Sequence, residues 1–422
     1  MQSGAGMMIA VDVICFFLAM YLTLAVSYLA VVTVAACSFR KPTTQTAENV
    51  RIAVIMPAHN EALQIEASVA AVLGVQYPAD RFSVFVIADN CDDNTAELAR
   101  QAGANVFERR VPDRPGKGQA LDWCLRRHKE TLAAYDGIVI VDADTTVAPR
   151  FLQEVAASLS APGTDLVQTA DGVSNPEQNW RTALTYAGFA LMNDVRARGR
   201  ARLGGSAGFK GNGMAFRSGL LLEYGWPAHS VVEDVEFSIR LLLDGHVVAY
   251  NPDAVLVSEM PARRPQADVQ RRRWEGGRFQ LWRHAIPVLA RAALTQRRWR
   301  YFDAVLDLLV PPLSLLVMAA GLLLVLALVS RPVWALAAAY CLAGTAFHVI
   351  LGLRVNRAPA RVWLALAAAP FFILWKIPIY AGILFGGKET AWRRTTRQAE
   401  LEREQDGIKD RTENQDSTAP KA

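Results

Sequence analysis

Three short clusters in this 422-residue chain combine side chains that can do chemistry. Asp142-Ala143-Asp144 follows the apolar run Gly137-Ile138-Val139-Ile140-Val141, which places two carboxylates at the end of a buried strand. Carboxylates so spaced supply oxygen ligands to a hard divalent cation that keeps part of its water and binds substrate phosphates. The plainer role of an Asp at such a place is to start a turn or cap a helix. Ser230-Val231-Val232-Glu233-Asp234 opens a helical pattern running to Asp244. Ser230 and Glu233 fit a capping box, which gives Glu233 a structural role. Asp234 is left in the first turn, where the helix dipole favours its ionised form. Such a carboxylate is either a general base toward a hydroxyl within reach or a complement to the dipole. Gln270-Arg271-Arg272-Arg273-Trp274 reads as helix. Positions three and four apart share a face, so Gln270, Arg273 and Trp274 form an amide, cation and indole cluster that can hold a diphosphate and stack on a sugar. The same arginines also suit an amphipathic helix on anionic headgroups.

Smaller signals accompany these. Asn60-Glu61 and Asp89-Asn90 end two further apolar runs. Asp93 or Asn94 is placed to cap the helix expected from Thr95, whereas Asp89, still at the strand end, is the better site candidate. Arg114-Pro115-Gly116-Lys117-Gly118 is a loop offering a cation and close backbone approach, suited to phosphate or simply to solvent. It lacks the spaced glycines and Lys-Ser/Thr ending of a Walker loop. Gly211-Asn212-Gly213 lacks dinucleotide-fingerprint spacing, and its glycines are expected to let the backbone approach a substrate.

The elements that must position these residues alternate. Ile52-Ala53-Val54-Ile55-Met56, Ser83-Val84-Phe85-Val86-Ile87-Ala88 and Gly137 to Val141 read as buried parallel strands, and helical patterns follow at 63–73, 95–102, 118–128 and 151–159. That is the pattern of a doubly wound α/β sheet, in which ligands bind at the carboxyl ends of the strands. Asn60-Glu61, Asp89-Asn90 and Asp142-Ala143-Asp144 therefore converge on one crevice.

Membrane segments flank this region. Residues 7–38 are apolar apart from Asp12, longer than the roughly 20 residues that span a bilayer. A signal peptide is the competing reading, with Val34-Ala35-Ala36-Cys37 resembling a lipoprotein cleavage box, but no Lys or Arg precedes the run. Arg40 and Lys41 follow it, so the positive-inside rule puts the N-terminus outside and the next domain in the cytoplasm. Further apolar runs lie at 308–329, 333–353 and 362–385; the first two read as spans, and the third, with Pro370, Lys376 and Pro378, as kinked, re-entrant or interfacial. The expected organisation is an anchor at 1–40, a catalytic domain at 45–263, interface helices at 264–304, membrane helices at 305–388 and a polar, disordered tail at 389–422.

A net charge of +5, with arginine clusters beside apolar runs, points to a lipid surface rather than nucleic acid. Five scattered cysteines give neither a disulfide framework nor a CxxC metal site, which fits a reducing compartment for the soluble part.

In their order, Pro57-x-x-Asn60-Glu61, Asp89, Lys117, Asp142-x-Asp144, Glu233-Asp234 and Gln270-x-x-Arg273-Trp274 resemble the membrane-embedded family-2 glycosyltransferases, the branch of cellulose, hyaluronan, chitin and poly-N-acetylglucosamine synthases. The resemblance covers 50–278. It implies a GT-A α/β fold with flanking transmembrane helices, a UDP-sugar donor, Mg²⁺ or Mn²⁺, and inversion at the anomeric carbon. By this resemblance Glu61 and Asp89 contact uridine, Lys117 the base or phosphate region, Asp142 the ribose or donor sugar, and Asp144 the metal. Asp234 deprotonates the acceptor, while Gln270, Arg273 and Trp274, with Glu233 beside them, bind the diphosphate and acceptor. Asn90 stands where a second Asp is usual and Val232 where many synthases have Thr. The implied function is transfer of glucose or N-acetylglucosamine to a growing polysaccharide at the cytoplasmic face of a bacterial inner membrane, with an export partner or second copy of the chain as company. The alternative is addition of a single sugar to a lipid-linked acceptor, since lipid glucosyltransferases carry a similar signature. A scaffold with a relict domain is the non-enzymatic alternative, against which the intact carboxylates argue.

Overall fold

The computed structural model describes residues 2–41, 49–228, 230, 232–262 and 264–385. The expected tail at 389–422 and the side chain of Arg273 lie outside the described residues.

Eight strands among the described residues form one sheet: β1 (Ile52–Ala58), β2 (Phe82–Asp89), β3 (Asn105–Arg109), β4 (Gly137–Ile140), β5 (Thr145–Val147), β6 (Leu166–Val173), β7 (Met214–Arg217) and β8 (Val248–Ser258). Their order is β3-β2-β1-β4-β7-β6-β8-β5. The half built from β3, β2, β1 and β4 is parallel. The inner strands β1 and β4 are apolar because both faces are covered, whereas β3, at the sheet edge, mixes Val106 and Phe107 with Asn105, Glu108 and Arg109. Val54 and Met56 pack on one side with Val69 and Val155, and Ala53 and Ile55 on the other with Leu121 and Phe216. The doubly wound expectation fails in the other half. There β7 runs antiparallel to β4 and β6, and β5 antiparallel to β8. The short strand β5, directly after Asp144, closes that edge.

Three helices among the described residues, Met7–Cys37, Val333–Val355 and Ala360–Ile383, are long and apolar enough to cross a membrane. The run at 308–329 is not the straight span expected from its hydropathy. Trp299–Leu309 and Leu313–Ala327 are bent by 70° at Pro311-Pro312, because proline has no N–H for the helix ladder and its ring displaces the preceding turn. Carbonyls near the break find other donors: Arg196 Nη2 donates to the Asp307 carbonyl at 2.8 Å and the Tyr21 hydroxyl to that of Leu309 at 2.7 Å. Asp12, the one charge in the first apolar run, accepts from Arg331 at 2.8 Å and Trp334 at 2.9 Å.

The sheet-bearing part of the chain meets these helices through Arg196–Arg202. Arg200 bonds Asp303 at 2.9 Å and Asp307 at 3.0 Å, and Tyr28 donates to Asp303 at 2.8 Å. Arg200 and Asp303 are buried, so losing one partner of this network costs about 3–5 kcal/mol. Gly199 permits the contact, since a Cβ there would lie 2.0 Å from the Val32 carbonyl oxygen.

Candidate functional site

The site begins at the ends of β1 and β2. Asn60 and Asn90 hold positive φ angles of 56° and 51°, a left-handed conformation that Asn tolerates better than most residues. Each turns the chain out of its strand and fastens another loop. Asn60 Oδ1 accepts from the Asp92 N–H at 2.8 Å, and Asn90 Oδ1 from that of Val111 at 2.7 Å. Glu61 and Asp89 both face the cavity described below. The Asp89 carboxylate is ion-paired with Arg109, the last residue of β3, whose other nitrogen donates to the Arg114 carbonyl at 2.7 Å. Burial pushes the Asp89 pKa up and Arg109 opposes it. Arg109 was invisible as a site residue because its pairing spans 20 positions. Of the two capping candidates, Asp93 accepts from the Thr95 N–H at 3.0 Å while Asn94 makes no side-chain cap.

Lys117 opens the helix Lys117–Arg127 and reaches across the crevice. Its ammonium pairs with Asp142 and donates to the Gly211 carbonyl. Burial alone would lower the Lys117 pKa, but Asp142, Glu233 and Asp234 outweigh it and raise it. The Asp142 N–H donates to Asn212 Oδ1 at 3.0 Å, and Asn212 Nδ2 donates to Thr145 Oγ1 at 2.9 Å. Asn212 thus brackets the turn that carries Asp144. The glycines beside it serve this packing: a Cβ on Gly213, at φ 64°, would lie 1.9 Å from Thr169 Oγ1, and one on Gly211, at φ 90°, 3.3 Å from Asp234 Oδ2. The protein's own side chains thus crowd both glycines, and Gly211 also lines the cavity described below.

Asp234 lies in the first turn of the helix Glu233–Leu243, as expected, but the capping box does not form. Val232 occupies the cap position and no side chain accepts there. Glu233 is therefore turned to other neighbours. Burial first, then the adjacent Asp234, pushes its pKa up to about 7, against the pull of Lys117. Burial raises Asp234 as well, with Lys117 and Lys210 opposing. Asp171 on β6 is a further carboxylate that sequence reasoning missed; burial and the charges of Asp142 and Asp144 raise it well above the usual range. Its surroundings in sequence, Ala170 and Gly172, carry no chemical signal.

Gln270, Arg271 and Trp274 lie on the long helix Arg264–Gln296 and border the same cavity, and the Trp274 ring sits 5.6 Å from that of Phe189. Arg271 points to the membrane helices, donating to Thr185 Oγ1 at 2.8 Å and lying 4.9 Å over the Phe372 ring. The cavity, of about 990 Å³, runs from Glu61 and Asp89 past Asp144, Asp234 and Trp274 to Pro312, His348 and Phe372. One end is lined by carboxylates and Lys117, the other by apolar membrane helices. Among the described residues no three His, Cys, Asp or Glu side chains gather to hold a metal ion. A cation here would take one or two carboxylates and complete its shell with phosphate oxygens and water, which is how Mg²⁺-type sites are built.

A family model described as "Glycosyltransferase like family 2" matches residues 49–277. The chain is 28% identical over 199 residues to a beta-monoglucosyldiacylglycerol synthase of Trichormus variabilis, covering 46% of this chain and 41% of that protein. It is 25% identical over 250 residues to glucomannan 4-beta-mannosyltransferase 2 of Arabidopsis thaliana, covering 57% and 46% respectively. The chain thus spans less than half the length of these curated relatives. Among solved structures, it is similar to a mannosyltransferase from Pyrobaculum calidifontis in complex with GDP-Man and Mn²⁺, at 22% identity and TM-score 0.47 over 82% of this chain and 98% of that one.

Proposed function

The chain belongs to glycosyltransferase family 2, with a GT-A-like α/β fold, and on that premise we propose that it transfers one sugar from a nucleotide sugar to a hydroxyl of a lipid held in the bilayer. The observation that carries this reading is the cavity running from the strand-end carboxylates into the membrane helices. Beyond Trp274 its wall includes Pro312, Val317, Val349, Phe372 and Ile373, a lining that suits acyl chains better than a hydrated polymer. The relative named for glucosyldiacylglycerol synthesis supports glucose as the sugar and a lipid as acceptor.

In this reading the nucleoside lies against Glu61 and Asp89, with Arg109 holding Asp89 in place. Lys117 fixes Asp142 against the donor, and Asn212 sets the position of Asp144. Asp144 is the residue that would hold a Mg²⁺ or Mn²⁺ ion, which would offset charge on the diphosphate. Asp234 takes the proton of the acceptor hydroxyl as its oxygen bonds to the anomeric carbon. The bond from that carbon to the diphosphate oxygen breaks on the opposite side, inverting the centre. Gln270 and Trp274, which border the cavity, hold the diphosphate and acceptor, a role the family resemblance also gives Arg273. Arg40 and Lys41, following the first helix, support a cytoplasmic catalytic domain.

The test supplies purified protein in nanodiscs with a panel of UDP- and GDP-sugars and Mg²⁺ or Mn²⁺. A single-sugar glycolipid is expected, lost in Asp144→Ala and Asp234→Ala. A long polymer cut by linkage-specific hydrolases would overturn the single-addition reading, and no transfer from any nucleotide sugar would overturn the whole.

A further inference from the structure

The membrane end of the cavity holds charges that the transfer chemistry does not use. Arg271, Glu275 and Lys376 all border it. Glu275 and Lys376 are 8% and 5% exposed and form an ion pair, and Lys376 also lies 3.4 Å from the Tyr380 hydroxyl. Arg271 feels the fields of Glu275 and Tyr380, while it donates a hydrogen bond to Thr185 and lies over the rings of Phe372 and Trp375. Two cations therefore share one carboxylate. The Tyr380 hydroxyl also acts on that carboxylate, yet its second oxygen, Glu275 Oε2, is buried with no hydrogen-bond partner among the described residues.

Burying charge is tolerated where it is paired and hydrogen-bonded. This cluster is one anion and one hydrogen-bond donor short. We propose that it binds the headgroup of the acceptor lipid, and that this headgroup carries a phosphate anion, held by Arg271 and flanked by Lys376, with an adjacent hydroxyl donating to Glu275. The inference rests on the lipid-acceptor reading above and names the acceptor's chemical class. Arginine's planar fork suits phosphate, and the ring contacts keep that fork on the membrane side. The donor diphosphate belongs at the other end, near Asp144 and Lys117. Free phosphate offers the same group as a lipid phosphate, so the test separates the two.

Protein in maltoside micelles is titrated with dioleoylphosphatidylglycerol or dioleoylglycerol, and lipid retention is read by native mass spectrometry; UDP affinity is measured by calorimetry. The phosphate lipid is expected to be retained at concentrations at least ~10-fold lower than the neutral one, a factor of ten corresponding to about 1.4 kcal/mol. Arg271→Gln and Lys376→Met should each erase most of that preference, Arg271→Lys should keep part of it, and UDP affinity should hold in all three. Thermal melting identifies any variant that fails to fold, and the remaining ones carry the comparison. Excess inorganic phosphate that displaces the lipid would show that the phosphate group alone suffices; no displacement would show that the acyl chains are required. Equal retention of both lipids, or loss of UDP affinity in Arg271→Gln with the lipid preference intact, would overturn the proposal. Glycolipid formed on dioleoylglycerol alone overturns it while leaving the lipid-acceptor reading standing. Selective phosphatidylglycerol retention with no transfer to any lipid does the reverse.

Discussion

Gly211→Ala tests whether the centre of the site is as tightly built as its contacts imply. Gly211 holds φ at 90°, and a Cβ there would meet Asp234 Oδ2 at 3.3 Å. Its carbonyl also receives the Lys117 ammonium. Two costs follow. A non-glycine residue held at positive φ is destabilised by about 1–3 kcal/mol, which thermal melting of the detergent-solubilised protein reads directly. The new methyl group is tighter than an ordinary contact, so the Asp234 carboxylate must yield by a few tenths of an ångström. A misplacement of ~1 Å at a reacting group costs ~10²-fold in rate, and interpolation gives a loss in kcat of roughly 5- to 10-fold. Nucleotide release is followed by a coupled assay and nucleotide affinity by calorimetry; affinity should change little. If the effect passes through Asp234, Gly211→Ala introduced into Asp234→Asn should cost almost nothing further, as expected for coupled neighbours. An unchanged kcat in the single variant, or an undiminished loss in the Asp234→Asn background, would refute the reasoning.

Asn212→Ala removes the acceptor for the Asp142 N–H and one donor to Thr145, which keeps its Ser258 partner; the Asp142 N–H left unpaired costs about 1–3 kcal/mol, and the donor KM should rise together with a drop in melting temperature. Arg109→Leu strands the buried Asp89 carboxylate and should cost about 3–5 kcal/mol, most of it recovered in the Arg109→Leu/Asp89→Leu double variant when both are melted side by side. Activity should climb with pH toward and through about 7, because burial and mutual repulsion raise Glu233 and burial raises Asp234, and Glu233→Gln should move that limb of the kcat/KM profile to lower pH. Stability carries the opposite sign: the folded state holds the Glu233 proton above the ordinary carboxylate range, so its contribution is fully present in acid and is lost as pH rises through about 7. Melting curves across that window check it.

How legible these features were depended on how local their causes are. The three parallel strand ends declared themselves because strands buried on both faces are apolar throughout and change character abruptly at Asn60, Asp89 and Asp142. The antiparallel half did not, since β5 and β7 span only three and four residues and owe their pairing to distant partners. Asn212 was hidden between two glycines that drew attention to the backbone. Its role lies in a contact with Asp142, 70 positions away. Arg109 and Asp171 were missed for the same reason. The misread capping box is different in kind: Ser230 and Glu233 have the right types and spacing, but the helix starts at Glu233 itself, two residues too late for the box to close. The broken span at Pro311-Pro312 was legible in the two prolines, and hydropathy masked it.

That break bears on the order in which the protein assembles. A straight apolar helix satisfies its own backbone and can settle in a bilayer alone. Around the 70° bend, the Asp307 and Leu309 carbonyls depend on Arg196 from the catalytic domain and Tyr21 from the first helix. The segment after Trp299 therefore cannot reach its final shape until the first helix is inserted and the catalytic domain has folded beneath it. Synthesis from the N-terminus delivers both before the prolines emerge, so the chain's linear order is also a workable building sequence. Separating the membrane helices from the catalytic domain would leave the bend without its donors, and the two halves expressed apart should come together poorly.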